Sequence, residues 1–334
     1  MAEIIEGIIK SRSPRIHRIA EEFKALNSDV ESNRRRIQRF LQEQELCNRE
    51  VARFIASLLM SNRKMLIAID RTNWDFGKTT HNLLTLAIVV KNTAVPLFIV
   101  HLDHSGNSDT QQRIEFMQEF LDVFGADRLE CVTADREFVG EDWIAWLCKN
   151  KIPFVIRSRC NIGFRHKNGG KILCKDWFGT SEEEQTFMTR IWKHPIKLSG
   201  KFLTAKKELL AVMSSPDIEN PLEVYRKRWG IECLFKGMKS HGFNMEDSHV
   251  KIRGHFETLT QMLCIAFAIS VKIGLIMHEE KPIPFRETVK SKLYSISRYG
   301  MDHIRWFFRN KKRVISIALV TLPWVHKILG IFVT

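Results

Sequence analysis

Apolar and polar positions recur along this chain with two different periods, and the period changes near residue 65. Upstream, residues 1–64 carry apolar side chains three and four apart among mixed charges, which predicts helices. From Met65 the apolar runs become short and β-rich: residues 65–69 end at Asp70, and residues 83–90 and 95–102 follow, joined through a turn at 92–96. Helical spacing returns over 111–124, with Ile114, Met117, Phe120, Leu121 and Phe124 on one face. Residues 129–133 then predict a strand leading into Asp135. A helix over 141–149 turns Trp143, Ile144 and Leu147 inward, and 153–156 reads as a fifth strand. The order βββαβαβ predicts an α/β domain with a mixed sheet.

Residues 158–215 break this rhythm with glycines and alternating strand-like patches, ending in a strand at 209–213, and predict a β-rich insertion. Asp217, Asn220 and Pro221 supply helix-start chemistry for a helix over 225–239. Gly230 and Gly237 each cost that helix about 1 kcal/mol relative to alanine, so tertiary contacts have to hold it. Beyond His255 the pattern is helical to the end. The expected division is a helical region at 1–64, a core in two parts at 65–157 and 216–258, the insertion at 158–215 between them, and a helical region at 259–334. No internal repeat interrupts it.

The helix over 225–239 carries the densest chemistry. At about 100° per residue, Tyr225, Arg228, Glu232 and Lys239 fall near 0°, −60°, −20° and −40°, a narrow polar stripe beside an apolar one formed by Val224, Ile231, Leu234, Phe235 and Met238. Alone, such a stripe also describes an ordinary surface helix.

Charge changes the picture. Lys and Arg number 52 against 38 Asp and Glu, a net +14, which suits a polyanionic partner such as nucleic acid. Residues 1–64 hold 13 basic against nine acidic residues, including the run Arg34, Arg35, Arg36, a candidate for phosphate contact. The seven cysteines form no CxxC pair and predict reduced thiols of a cytosolic protein. Glu3 and Glu6 interrupt the first apolar residues, so no secretory signal is expected. Residues 259–277 and 314–333 approach membrane-span length, but Lys272 lies in the first, and Pro323, His326 and Lys327 in the second; buried helices are expected of both, and no membrane partner.

Asp70 and Asp135 each directly follow an apolar strand, the position from which α/β sheets present functional groups. Two strand-end carboxylates and Glu232 on its helix can chelate a pair of divalent cations about 3.5–4 Å apart, which activate a water or a 3′-hydroxyl and stabilise the leaving oxygen. Oxygen ligands favour Mg²⁺ or Mn²⁺ over zinc.

With these residues in place, the chain resembles bacterial insertion-sequence transposases with a DDE triad, of the insertion-sequence-4-type group marked by a tyrosine, arginine, glutamate and lysine signature. That signature matches Tyr225, Arg228, Glu232 and Lys239 in spacing. AIDRTNWDFG around Asp70, the Gly106-Asn107-Ser108 segment, and TADREFVG around Asp135 are similar to the family's other blocks, so the resemblance covers residues 65–275. It implies a ribonuclease H-like fold interrupted by the β-rich insertion, which occupies much of the 97 positions separating Asp135 from Glu232. It also implies that Asp70, Asp135 and Glu232 are catalytic and hold two Mg²⁺ ions, with Mn²⁺ able to substitute. The substrates it implies are double-stranded DNA, both the terminal inverted repeats and the target. A homodimer acting in the bacterial cytoplasm at the nucleoid completes the expectation.

Arg228, Lys239 and Tyr225 then become candidate DNA contacts, as does Arg136 beside Asp135. Trp177, Trp192 and Trp229 are candidate platforms for a flipped base. Asp103, flanked by His101 and His104, is a rival carboxylate and a possible zinc cluster. Two other functions share these residues: a catalytically silent repressor that binds element ends, and a structure-specific nuclease that cuts without joining.

Overall fold

The computed structural model describes residues 1–23, 29–60, 63–76, 79–165, 169–239, 242–289 and 291–310. Four helices open the chain: α1 (Ala2–Ser11), α2 (Ile16–Glu21), α3 (Val30–Glu43) and α4 (Asn48–Met60). Strands β1 (Met65–Phe76), β2 (Thr79–Val90) and β3 (Thr93–Leu102) follow, then α5 (Thr110–Phe124), β4 (Leu129–Ala134), α6 (Glu141–Lys149) and β5 (Phe154–Arg157). A small hairpin of β6 (Gly163–Arg165) and β7 (Lys171–Leu173) leads through α7 (Cys174–Phe178) to β8 (Gln185–Ile191), β9 (His194–Leu203) and β10 (Glu208–Ser214). The remainder comprises α8 (Pro221–Lys227), α9 (Trp229–Lys239), α10 (Arg253–Glu280), the two-residue strands β11 (Phe285–Arg286) and β12 (Ser291–Lys292), and α11 (Ile296–Arg309). Expected residues 314–333 lie outside the described residues.

The chain divides into two compact units. One holds residues 52–74 and 80–234 and is built on an eight-stranded sheet in the order β3-β2-β1-β4-β5-β10-β9-β8. β1, β4 and β5 are parallel neighbours, while β2/β3, β5/β10, β10/β9 and β9/β8 pair antiparallel, so the sheet is mixed. Met65, Leu66, Ile67, Ala68 and Ile69 are all buried, as a central strand covered on both faces requires, which explains the unbroken apolar run there. α5 begins on a capping box: Asp109 accepts from the Gln112 backbone and the Gln112 side chain accepts from the Asp109 N–H.

Residues 158–214 are indeed rich in strand, and β8, β9 and β10 continue the main sheet from β5 rather than forming a sheet of their own. Their alternating pattern shows two differently packed faces but carries no signal for which strand they pair with.

The other unit collects residues 1–51, 75–79 and 235 onward, so the amino-terminal helices fold together with the carboxy-terminal ones. Ile4, Ile5, Ile8 and Ile9 of α1 are buried, and α1 packs against α10 and α11. The physical reason is that short helices such as α1 and α2 cannot bury an apolar face alone. α10 is long and apolar enough to cross a membrane, but 83% of its most apolar window is buried inside this unit. Among the described residues the cysteines form no disulfide, as expected; Cys131, Cys174 and Cys264 are buried, whereas Cys47, Cys160 and Cys233 are exposed.

α10 and α11 cross where glycine faces glycine. A Cβ added at Gly300 would overlap the Ser270 carbonyl oxygen, and one at Gly274 would overlap that of Ile296. Gly254, on the same helix, has open space around it. Gly300→Ala is therefore expected to cost about 3 kcal/mol, whereas Gly254→Ala should be neutral or stabilise by up to about 1 kcal/mol. Urea unfolding of the two variants checks this, and equal stabilities would refute the close crossing.

Candidate active site

The site assembles at the ends of two neighbouring parallel strands. β1 and β4 pair with Ile69 opposite Ala134, so the next residue on each, Asp70 and Asp135, leaves the sheet at the same level. Adjacent strands lie about 4.8 Å apart, which brings two carboxylates together from 65 positions apart in sequence. Both are anchored alike by the following backbone amide. Arg71 N–H donates to Asp70 Oδ1 at 2.8 Å, and Arg136 N–H donates to Asp135 Oδ1 at 2.6 Å.

The third carboxylate arrives on a helix that differs from the expected one. Instead of running unbroken over 225–239, it divides into α8 and α9 at Arg228. There the backbone tightens into three-residue bonds, Arg228 N–H to the Tyr225 carbonyl at 3.0 Å and Ile231 N–H to that of Arg228 at 2.9 Å. Two residues on, Gly230 passes the β2–β3 turn so closely that a Cβ would sit 3.0 Å from the Ala94 nitrogen and 3.2 Å from the Asn92 oxygen. The glycine that weakens the helix thus permits its approach to the sheet.

Arg228 stands at the centre of the three acids. Its Nη1 donates to Asp70 Oδ2 at 3.0 Å, its Nη2 to Glu232 Oε1 at 2.5 Å and its Nε to the Tyr225 hydroxyl at 3.2 Å. Tyr225 in turn donates to Asp135 Oδ1 at 3.4 Å. Asp70, Asp135 and Glu232 are therefore joined through one arginine and one phenol. Arg228 is 6% exposed, so it faces the carboxylates rather than the surface expected of a phosphate clamp.

Burial dominates the titration of this cluster. It lifts the Asp70 carboxyl to about 6, against the opposing pull of Arg228 and the Arg71 amide. It pushes the Tyr225 hydroxyl up to about 12. For Arg228 burial disfavours the charge, but Tyr225, Asp70, Asp135 and Glu232 outweigh it and raise the pKa. Close by, burial also raises Glu137, opposed by Arg71 and Arg113.

The donor set, three carboxylates with neither thiol nor imidazole, fits a divalent cation that prefers oxygen. Among the described residues no three His, Cys, Asp or Glu side chains are close enough to hold a metal as they stand, and the interposed Arg228 sets that spacing.

The other predicted residues separate. Arg136 is exposed beside Asp135. Trp229 is 52% exposed with Lys206 Nζ over its ring at 5.9 Å, whereas Trp177 packs against Phe187 at 4.9 Å and Trp192 occupies a turn with φ 46°. Lys239 lies two turns beyond Glu232 on α9, partly exposed. His101 faces His81 at 3.0 Å, and His104 bonds Gln112 and the Ser105 carbonyl, so these histidines do not converge on Asp103. Arg34 and Arg35 are ion-paired with Glu31, and Arg36 with Glu3.

Sequence reasoning missed Arg71 and Glu137, which flank the aspartates, and Asn82 on β2. The only available signal was their place inside the blocks around Asp70 and Asp135.

A mixed sheet that carries two strand-end aspartates, with a helical glutamate brought to them, defines a nucleic-acid-processing enzyme of the ribonuclease H-like kind. The family model for the transposase DDE domain matches residues 61–269, well over half of the chain. This chain belongs to that family, whose substrate is DNA and whose domains typically use divalent metal ions. No curated protein matches it.

A rise from 3.8 to about 6 at Asp70 means that the folded state holds this proton more tightly than the unfolded chain. Asp70 ionisation therefore opposes folding: its stability contribution is intact below pH about 4 and is lost as pH rises to about 6, by about 3 kcal/mol. Asp70→Asn should be more stable than the parent above pH 6 in chelator, with the difference vanishing near pH 4. Urea titrations across that range test it; a constant difference would contradict the assignment.

Proposed function

We propose that this protein is a DNA transposase of the insertion-sequence-4-type group that excises its element by strand cleavage at terminal inverted repeats and joins it to target DNA. The observation that supports this most is the convergence of Asp70, Asp135 and Glu232 on Arg228 and Tyr225, from three elements, within a chain of the DDE family. In this reading Asp70, Asp135 and Glu232 hold two Mg²⁺, or Mn²⁺, which supply an activated water or 3′-hydroxyl and stabilise the leaving oxygen.

The protein's own residues position the rest. The amides of Arg71 and Arg136 fix one oxygen of each aspartate and leave the other for a ligand. Arg228 neutralises the acids in the resting site, and its fork is suited to a phosphate once released from them. Tyr225 stays a neutral donor at physiological pH, able to bond a phosphate oxygen. Lys239 and Arg136 add charge to the DNA path, and Trp229, broadly exposed, offers a stacking face. The β-rich stretch 158–215 is in this reading the family's insertion before the glutamate helix, and residues 1–64 contact element ends. A homodimer holds two ends in the bacterial cytoplasm.

Glu232→Gln keeps the shape of α9 and the bond to Arg228 but removes a charged ligand. With DNA duplexes taken from the two ends flanking the coding sequence, it should cut at least a thousandfold more slowly in Mg²⁺ (on the order of 10³ for a lost electrostatic group) while binding DNA like the parent. Wild-type cutting in gels would sink the reading, and cutting without joining to target would convert it to a nuclease. Lys239→Ala should instead weaken DNA binding and lower the slope of log Kd against log salt by about one, which fluorescence anisotropy measures.

A further inference from the structure

Arg71 is the residue after Asp70, and Glu137 lies two beyond Asp135. The Arg71 guanidinium is only 17% exposed and reaches three other segments of the fold. Nη1 donates to Asn73 Oδ1 at 2.7 Å and to Asn82 Oδ1 on β2 at 2.9 Å, and Nη2 donates to Asn107 Oδ1 at 3.4 Å. Its Nε faces Glu137 Oε1 at 3.7 Å. Both of those atoms are buried and neither makes a hydrogen bond, so the ion pair is the interaction each has. The same network fixes the Gly106-Asn107-Ser108 segment: Asn82 Nδ2 donates to the His104 carbonyl at 2.7 Å and the Gly106 carbonyl at 3.0 Å, and Arg113 Nε donates to Ser108 Oγ at 2.9 Å.

Nothing in the proposed chemistry uses these groups, yet they tie together the two strand ends that carry the aspartates. We propose that Arg71 and Glu137 form a positioning pair that sets the separation of Asp70 from Asp135 and couples it to the 106–108 segment. The inference rests on the reading of Asp70, Asp135 and Glu232 as ligands. A ligand's affinity for a cation depends on the residues that orient it, and loss of such a partner typically costs about 10- to 100-fold. Arg71 suits the task because a planar fork can hold several acceptors in one fixed arrangement. Neither residue touches DNA or the reacting atoms in this account, so they act only through the aspartates.

The test measures Mn²⁺ binding to the full-length, chelator-stripped protein by calorimetry, beside its melting temperature, for Arg71→Ala, Glu137→Gln, the double variant and Glu232→Gln. Each single variant of the pair should weaken Mn²⁺ affinity about tenfold and the double variant no further, because the two side chains act as one unit. A scaffold role alone would lower the melting temperature and leave affinity within twofold. That outcome overturns the inference, as do losses that multiply in the double variant. Should Arg71→Ala fail to fold, Arg71→Lys and Glu137→Gln decide by the same criterion. If Glu232→Gln loses Mn²⁺ binding while the pair variants keep it, only the positioning role fails. If Glu232→Gln itself binds Mn²⁺ like the parent, the ligand assignment fails.

Discussion

One buried guanidinium holds this site together. Three carboxylates within reach of each other repel strongly where solvent is scarce: two unit charges 4 Å apart interact by about 4 kcal/mol at an effective dielectric of 20. Arg228 answers that repulsion with a charge that cannot be surrendered by deprotonation and with donors enough for Asp70, Glu232 and Tyr225 at once. Removing one partner of such a buried pair typically costs about 3–5 kcal/mol, since the remaining charge is left uncompensated. The upward shift of Asp70 shows that the compensation is incomplete, with burial outweighing the arginine.

The geometry behind this cluster is inexpensive to specify. Parallel pairing of β1 and β4 in a register that sets Ile69 against Ala134 is enough to bring Asp70 and Asp135 level. Once Gly230 allows the close pass at the β2–β3 turn, the helical carboxylate follows, because Arg228 and Glu232 are one helical turn apart. Strand ends and a helix therefore place the acids, and the side chains around them only refine the placement.

That division explains what was legible beforehand. The five strands of the first half announce themselves by apolar runs bounded by turns, and the aspartates by directly following two of them. The helix at Pro221 carries its start signal in sequence. The break at Arg228 does not, because it follows from a tertiary approach whose other side, the turn at Asn92 and Ala94, is about 135 residues away along the chain. Nor does the pairing of β10 with β5, since alternation fixes which face is buried and says nothing of the neighbour. Arg228 was read as a surface cation because helical angles describe direction around an axis, whereas burial depends on what packs there. Arg71 and Glu137 stayed invisible for the same reason: an arginine and a glutamate 66 positions apart carry no periodicity to mark them.

A charge argument connects the site to its substrate. When ionised, the three acids and Arg228 together carry about −2, so the resting pocket is a poor host for a phosphate. The chain as a whole carries +14, which draws a polyanion toward the protein without making the pocket itself attractive. Local neutralisation must then precede productive contact, either by cations taken up by the carboxylates or by protonation of Asp70 toward acidic pH. Only the first frees Arg228 while leaving every acid able to act as a ligand. A site arranged in this way couples the arrival of the metal to the availability of the arginine, so long-range basicity governs encounter and the buried arginine governs what happens after it.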